Sequence, residues 1–268
     1  MLWEGEHMTT VAFITAVCCR VDEPMKAVPN HPQATLWPSE VVTLGLRHAL
    51  QGVGHRAFSR WLARDYRPLF PRWPERTRLV RLFTTHQAGT AAFLAAPTRL
   101  GVLDPDGIAL IQPRREGRSF LQMGRKGRSH HRWMVGGKLC RWLTQLGLVV
   151  AWDGATANGQ DATLHPLIRL CDEPMLILSE TAFPAAEGDP AHLKRCARGE
   201  WNDRLLVETV LARLTWIRHG KTMMPRVWAY FQARLAFTGA AVHVLVQWHG
   251  WPVDEHGFVS LSIAEFSL

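Results

Sequence analysis

The sequence predicts a mixed α/β protein, a mixed sheet flanked by helices and preceded by an all-helical region. Three observations carry this. Before residue 90 the apolar residues recur at helical spacing. From about residue 100 the pattern changes to short apolar runs of strand length, Gly101 to Asp104, Ile108 to Ile111, Val135 to Leu143, Leu148 to Trp152 and Met175 to Leu178. A long amphipathic stretch, Trp201 to Lys221, then carries Leu206, Val210, Leu214 and Ile217 on one side, with Val207 and Leu211 widening the apolar face.

The chain has 268 residues, 47% of them hydrophobic, enough for a packed core. The formal net charge is +8 and the pI about 9.8, a balance that favours a polyanionic partner, nucleic acid before an anionic membrane. Five cysteines without CxxC spacing read as reduced thiols of a cytoplasmic protein. Leu235 to Trp248 is too short an apolar run to span a bilayer, and Glu4 and Glu6 stand where a signal peptide needs positive charge.

In chain order, Val11 to Cys19 predicts a short helix, followed by a connection from Pro24 to Pro38. Ser39 is the expected N-cap of the next helix, with Glu40 in its first turn and Gly52 and Gly54 at its end. Further helices are expected over His55 to Asp65 and from near Pro74 to His86. Between Arg56 and Arg81 eight arginines, Arg60 and Arg64 among them, face two acids, with Phe58, Trp61 and Tyr66 interleaved. This composition suits a small helical DNA-binding module, or an ordinary bundle with a basic face. Asp104-Pro105-Asp106-Gly107 predicts a turn between two strands. Residues 113–141 hold Arg114, Arg115, Arg118, Arg125, Lys126, Arg128, Arg132, Lys138 and Arg141 against Glu116 alone, and Gly117, Gly124 and Gly127 make part of this a flexible loop that can follow a phosphate backbone. A turn near 144–147 joins the next two strands. A helix is expected over Asp161 to Leu170, a Pro-, Ala- and Gly-rich loop after Glu180, and an apolar helix over Arg226 to Trp248. Thirteen histidines without HExxH spacing give no zinc signature, and no serine lies in a GxSxG context. The tryptophans read as packing residues, Trp61 being the expected exception.

Asp104 and Glu180 close apolar strands, and Glu208 lies beside the apolar face of the 201–221 helix with Arg204 one turn before it. Ligand sites of α/β sheets lie beyond strand ends, so these acids can converge. Carboxylates suit Mg²⁺, and a pair of such ions clamps the attacking and leaving oxygens of phosphoryl transfer. Glu208 can equally be a solvated residue of an amphipathic helix.

Four blocks carry a resemblance: HPQATLWPSEVVTLGL with RWLARDYRPLFP; GVLDPDGIALIQPRREGRS; HRWMVGGKLC with GLVVAWDGATAN; and RGEWNDRLLVETVLARLT followed by VWAYFQARLAFT. From Met8 to Leu268 the chain resembles bacterial insertion-sequence transposases of the DDE type. The resemblance implies a helical DNA-binding region over 1–95, a ribonuclease-H-like catalytic domain over 96–250 and a tail over 251–268. It implies an enzyme that cuts and joins DNA at element ends with two Mg²⁺ ions (Mn²⁺ as a substitute), and a homo-oligomer assembled on double-stranded DNA in the nucleoid. Carried over by position, Asp104, Glu180 and Glu208 are the catalytic and metal-binding acids, and Arg204 with the basic stretch binds phosphates. Glu180 departs from the family, which has aspartate there.

Overall fold

The computed structural model describes residues 9–118, 124–129, 132–144, 148–159, 166–167, 176–180, 193–196 and 227–249. Four helices lead: α1 (Thr10–Met25), α2 (Pro38–Gln51), α3 (His55–Asp65) and α4 (Arg76–His86). The sheet strands follow as β1 (Leu100–Ile111), β2 (Arg125–Ser129), β3 (Arg132–Thr144), β4 (Val149–Thr156), β5 (Leu176–Glu180) and β6 (Leu193–Cys196), and then a helix, α5 (Trp228–His249).

α1 runs six residues beyond the expected Cys19. Phe13, Ile14, Val17, Val21 and Met25 keep one buried stripe through the Pro24 region, and Pro24 falls in the last turn, where packing outweighs its missing donor. The N-cap of α2 is Trp37, not Ser39. The Trp37 backbone N–H donates to Glu40 Oε2 at 2.6 Å and Pro38 occupies the first helical position, which moves the helix start back by two residues. Gly52 ends α2 with φ 67°, a left-handed cap that favours glycine.

The predicted turn at Asp104-Pro105-Asp106-Gly107 is a strand interior. β1 continues through it, paired antiparallel to β3 from Gly101↔Thr144 to Ala109↔Gly136. The Leu176 N–H donates to the Arg99 carbonyl on the β5 side. Backbone groups alternate sides along a strand, so Pro105 turns its missing N–H away from β3 and the antiparallel ladder loses no donor. Within the basic stretch Arg125 to Ser129 form a strand that was not expected, β2, which pairs with β3, with Lys126↔Val135 and Arg128↔Trp133 in register. β6 arises where a loop was expected. The 161–170 helix lies outside the described residues except for the helical Pro166 and Leu167, and the 201–221 helix lies wholly outside them.

The sheet is mixed. Its order is β2-β3-β1-β5-β6, with β4 also on β3. β2 takes Arg132 to Gly136 of β3 and β4 takes Gly137 to Leu143, so the two share one β3 edge end to end. β1, β3 and β4 form an antiparallel meander, and β5 and β6 continue the sheet parallel to β1.

α5 is apolar all round because it is buried on two sides. Phe231 and Leu235 pack on Ile108, Leu110 and Leu139 of the sheet. Phe237, Ala240, Ala241 and Val244 complete the core of α1–α4, beside Phe13, Val42, Leu46, Phe58 and Phe83. The core of the N-terminal helices therefore includes residues of a helix expected with the catalytic domain. α2 meets α5 so closely at Gly45 that a side chain there would run into the Phe237 ring.

Candidate active site and nucleic-acid interface

β1 and β5 bring two of the three predicted acids together. Their parallel register runs from Leu100↔Leu176 to Leu103↔Ser179, and Asp104 and Glu180 are the next residue on each strand. Neighbouring strands lie about 4.8 Å apart, so the two backbones stand within reach of a shared ion. The apolar residues before each acid create this geometry: Leu103, Ile177 and Leu178 are buried and anchor both strands in the core. Asp104 is mid-strand rather than at a strand end, as β1 continues to Ile111. It is β5 that finishes its pairing there.

The same row extends in both directions. Asp104 pairs with Arg141, Arg141 with Trp152, and Glu180 with Cys196. A half-buried guanidinium thus belongs to the strand directly beside the first acid. The sequence put Arg141 within the strand expected over Val135 to Leu143, but its place beside Asp104 follows only from the register. Glu208 and Arg204 lie outside the described residues, so the third member of the predicted set has no described position. Among the described residues no group of three His, Cys, Asp or Glu is placed to hold a metal ion. The donors at hand suit Mg²⁺ or Mn²⁺ in kind, two carboxylate residues adjacent in register, while full coordination needs further ligands.

The basic residues divide between two surfaces. Arg56, Arg60, Arg64, Arg67, Arg72, Arg76, Arg78 and Arg81 are all exposed on α3, α4 and their connection. Arg64 is the most engaged, with Nε donating to Asp65 Oδ1 at 2.6 Å and Nη2 to Oδ2 at 2.7 Å. The aromatics among them are not free for a ligand. Phe58 is fully buried, and Trp61 and Tyr66 pack against the helical core. Trp61, the expected exception, instead stands under the Arg47 guanidinium, 5.0 Å from its ring centroid.

The second surface is the β2–β3 hairpin with the segment before it. Arg114, Arg118, Arg125, Lys126 and Arg128 are exposed, whereas Lys138, farther along β3, is half-buried. Arg114 Nε donates to Gln112 Oε1 at 2.8 Å; Arg115 lies in a short 3₁₀ turn over Pro113–Arg115. Trp133 of this hairpin is 60% exposed, and the Lys126 ammonium lies 5.5 Å from its ring centroid. Sequence reasoning missed Trp133. The signal was its place in a basic run, one residue before the buried Met134.

One buried polar cluster was also missed. His48 of α2 and His55 of α3 lie beside Arg234 of α5, which donates to the Gly52 carbonyl at 3.1 Å and the Val53 carbonyl at 3.3 Å. These bonds satisfy the carbonyls that end α2 and pin α5 to it. A small cavity lined by His48, His55, Thr84, Tyr230 and Arg234 adjoins the cluster. His48 continues the buried face set by Val41 and Leu44, a spacing that marks it as a core residue.

No helix among the described residues is long and apolar enough to cross a membrane. No protein-family model, curated protein or solved structure matches the chain.

Proposed function

We propose that the chain is a DDE-type transposase with a ribonuclease-H-like catalytic domain. The observation that carries this reading is the register of β1 and β5, which sets Asp104 beside Glu180 across two parallel strands anchored in the core. The mixed sheet, an antiparallel meander continued by two parallel strands, is compatible with that domain. Two exposed basic surfaces, one on α3 and α4 and one on the β2–β3 hairpin, supply the contacts that a DNA backbone takes.

In this reading Asp104 and Glu180, with Glu208, would hold two Mg²⁺ ions, which when bound activate a water and stabilise the leaving oxygen. Arg204 and the basic hairpin bind DNA phosphates, and the partner is double-stranded DNA at element ends and target, engaged by a homo-oligomer. Nicking of supercoiled DNA in Mg²⁺ tests the activity. The protein nicks, and Asp104→Asn abolishes nicking while DNA binding persists; nicking that survives Asp104→Asn removes the site.

Glu180 favours a second reading, a catalytically impaired transposase that still binds DNA. Glutamate is one methylene longer than the family's aspartate, and its backbone is held in β5 by pairing with Cys196 of β6. DNA binding without Mg²⁺-dependent nicking is the outcome that selects this reading.

A further inference from the structure

Tryptophan is the most expensive side chain to leave in water, and Trp133 and Trp37 are the most exposed large apolar residues described. They differ in setting. Trp37 is the N-cap residue of α2, where its backbone has a structural task. Trp133 has none beyond its pairing with Arg128, yet the flanking β3 residues Met134 and Val135 are buried. The hairpin is fixed at this point by that burial and by five register pairs on β2. The indole is therefore presented on a rigid support rather than on a loose loop.

Its surroundings are cationic. Lys126 lies over the ring, and Lys126 and Arg128 are two residues apart on β2, so they project to the same side of the hairpin as Trp133, the register partner of Arg128. Arg125 is exposed next to them, and β2 contains no acid. An apolar partner would gain from the indole but would have to desolvate the two cations beside it. A duplex satisfies the cations with phosphates but offers no base face, since its bases are already stacked. An unpaired nucleotide satisfies both: its phosphates meet Lys126 and Arg128, and its base stacks on the indole.

We infer that the β2–β3 hairpin binds single-stranded DNA, with Trp133 stacking an unpaired base and Lys126 and Arg128 holding the flanking phosphates. This deepens the proposed function and rests on it: strand cleavage and joining expose unpaired ends, and the hairpin gives such an end a place distinct from the duplex contacts of α3 and α4.

The test is fluorescence anisotropy on the full chain with two labelled probes, a thymidine oligonucleotide and a duplex of the same length. Trp133→Ala weakens oligonucleotide binding on the order of tenfold, leaves the duplex within twofold, and keeps the salt dependence, because no cation is removed. Trp133→Phe retains most of the affinity, since a phenyl ring still stacks. Lys126→Ala with Arg128→Ala weakens the oligonucleotide and lowers the salt slope. Unchanged oligonucleotide binding in Trp133→Ala overturns the inference while the transposase reading stands, and so does an equal loss on both probes. A natural protein that binds neither probe overturns both. An unchanged thermal unfolding curve for Trp133→Ala, expected of a side chain so exposed, excludes misfolding as the cause of any loss.

Discussion

The imidazole rings of His48 and His55 lie stacked, with 4.4 Å between centroids and 13° between planes. Burial holds both neutral. It pushes the His55 imidazole down to about 4, helped by Arg234 and Arg76, and holds His48 well below its ordinary range, with His55 and Arg234 adding to the effect. In the unfolded chain both titrate near the ordinary histidine value of about 6.5. The unfolded state therefore binds more protons as the pH falls, and stability drops from pH about 6.5 toward about 4. For His55 alone the loss amounts to about 3 kcal/mol. Thermal unfolding measured across this window gives a falling Tm, and His55→Phe flattens the decline. A Tm independent of pH from 7 to 4 contradicts the neutral stack.

Arg47 is a cation inside the helical core. It is 3% exposed, its Nε and Nη1 have no hydrogen-bond partner, and the guanidinium is held over Phe13 at 5.7 Å and Trp61 at 5.0 Å. Burial lowers its pKa to about 10. Two cation–π contacts offset only part of the desolvation cost. Arg47→Met keeps the volume and removes the charge, and it raises stability by about 1 kcal/mol or more in urea unfolding. A destabilised Arg47→Met shows that the aromatic contacts outweigh desolvation.

Gly45 sets the distance between α2 and α5. A methyl group there gains about 1 kcal/mol of helix propensity but meets the Phe237 ring, which is itself buried. Overpacking typically costs about 1–3 kcal/mol, so the contact decides the sign and Gly45→Ala destabilises. Adding Phe237→Leu opens the space and recovers part of the loss. If Phe237→Leu makes matters worse by its full single-mutant cost, the two residues are not coupled.

On the proposed transposase function, Glu180→Asp restores the carboxylate reach that a two-ion site needs. Displacing a catalytic group by about 1 Å can cost on the order of 100-fold, so the shorter acid raises Mg²⁺-dependent end cleavage by at least several-fold with DNA affinity unchanged. Mn²⁺ partly rescues the natural protein. Efficient cleavage by the natural protein, with no gain in Glu180→Asp, means the longer acid is accommodated.

If the proposed DNA partner is right, affinity falls steeply between about 50 and 200 mM salt, because each neutralised phosphate releases counterions. Replacing exposed Arg60 and Arg78 by Ala lowers the slope of log K against log salt by about two. A nearly flat salt dependence removes the electrostatic interface.

Helices α2, α3 and α4 were legible in the sequence because their stripes and end signals are local. α1 was cut short by Pro24, whose cost the buried Val21 and Met25 override. β1 was split because Pro105 and Gly107 are turn residues by local rule, whereas the long antiparallel ladder on β3 is a tertiary fact. β6 has the polar sequence LKRC, and only its pairing with β5 makes it a strand. Of the site, Asp104 and Glu180 were legible as acids following apolar runs, but their adjacency required the register. Arg141 lay in an expected strand, but its pairing with Asp104 needed the register, whereas Trp133 was hidden because a basic run looks like a solvated loop until alternation with buried neighbours is recognised.

Because α5 belongs to both cores, the order of synthesis matters. The ribosome completes α1–α4 early, yet Phe237, Ala240, Ala241 and Val244, which close their core, emerge only after the whole described sheet. Until then the nascent helices expose the apolar faces that α5 later covers, a surface of the kind that promotes aggregation. A message truncated before codon 228 yields an N-terminal fragment without its closing helix and therefore prone to degradation.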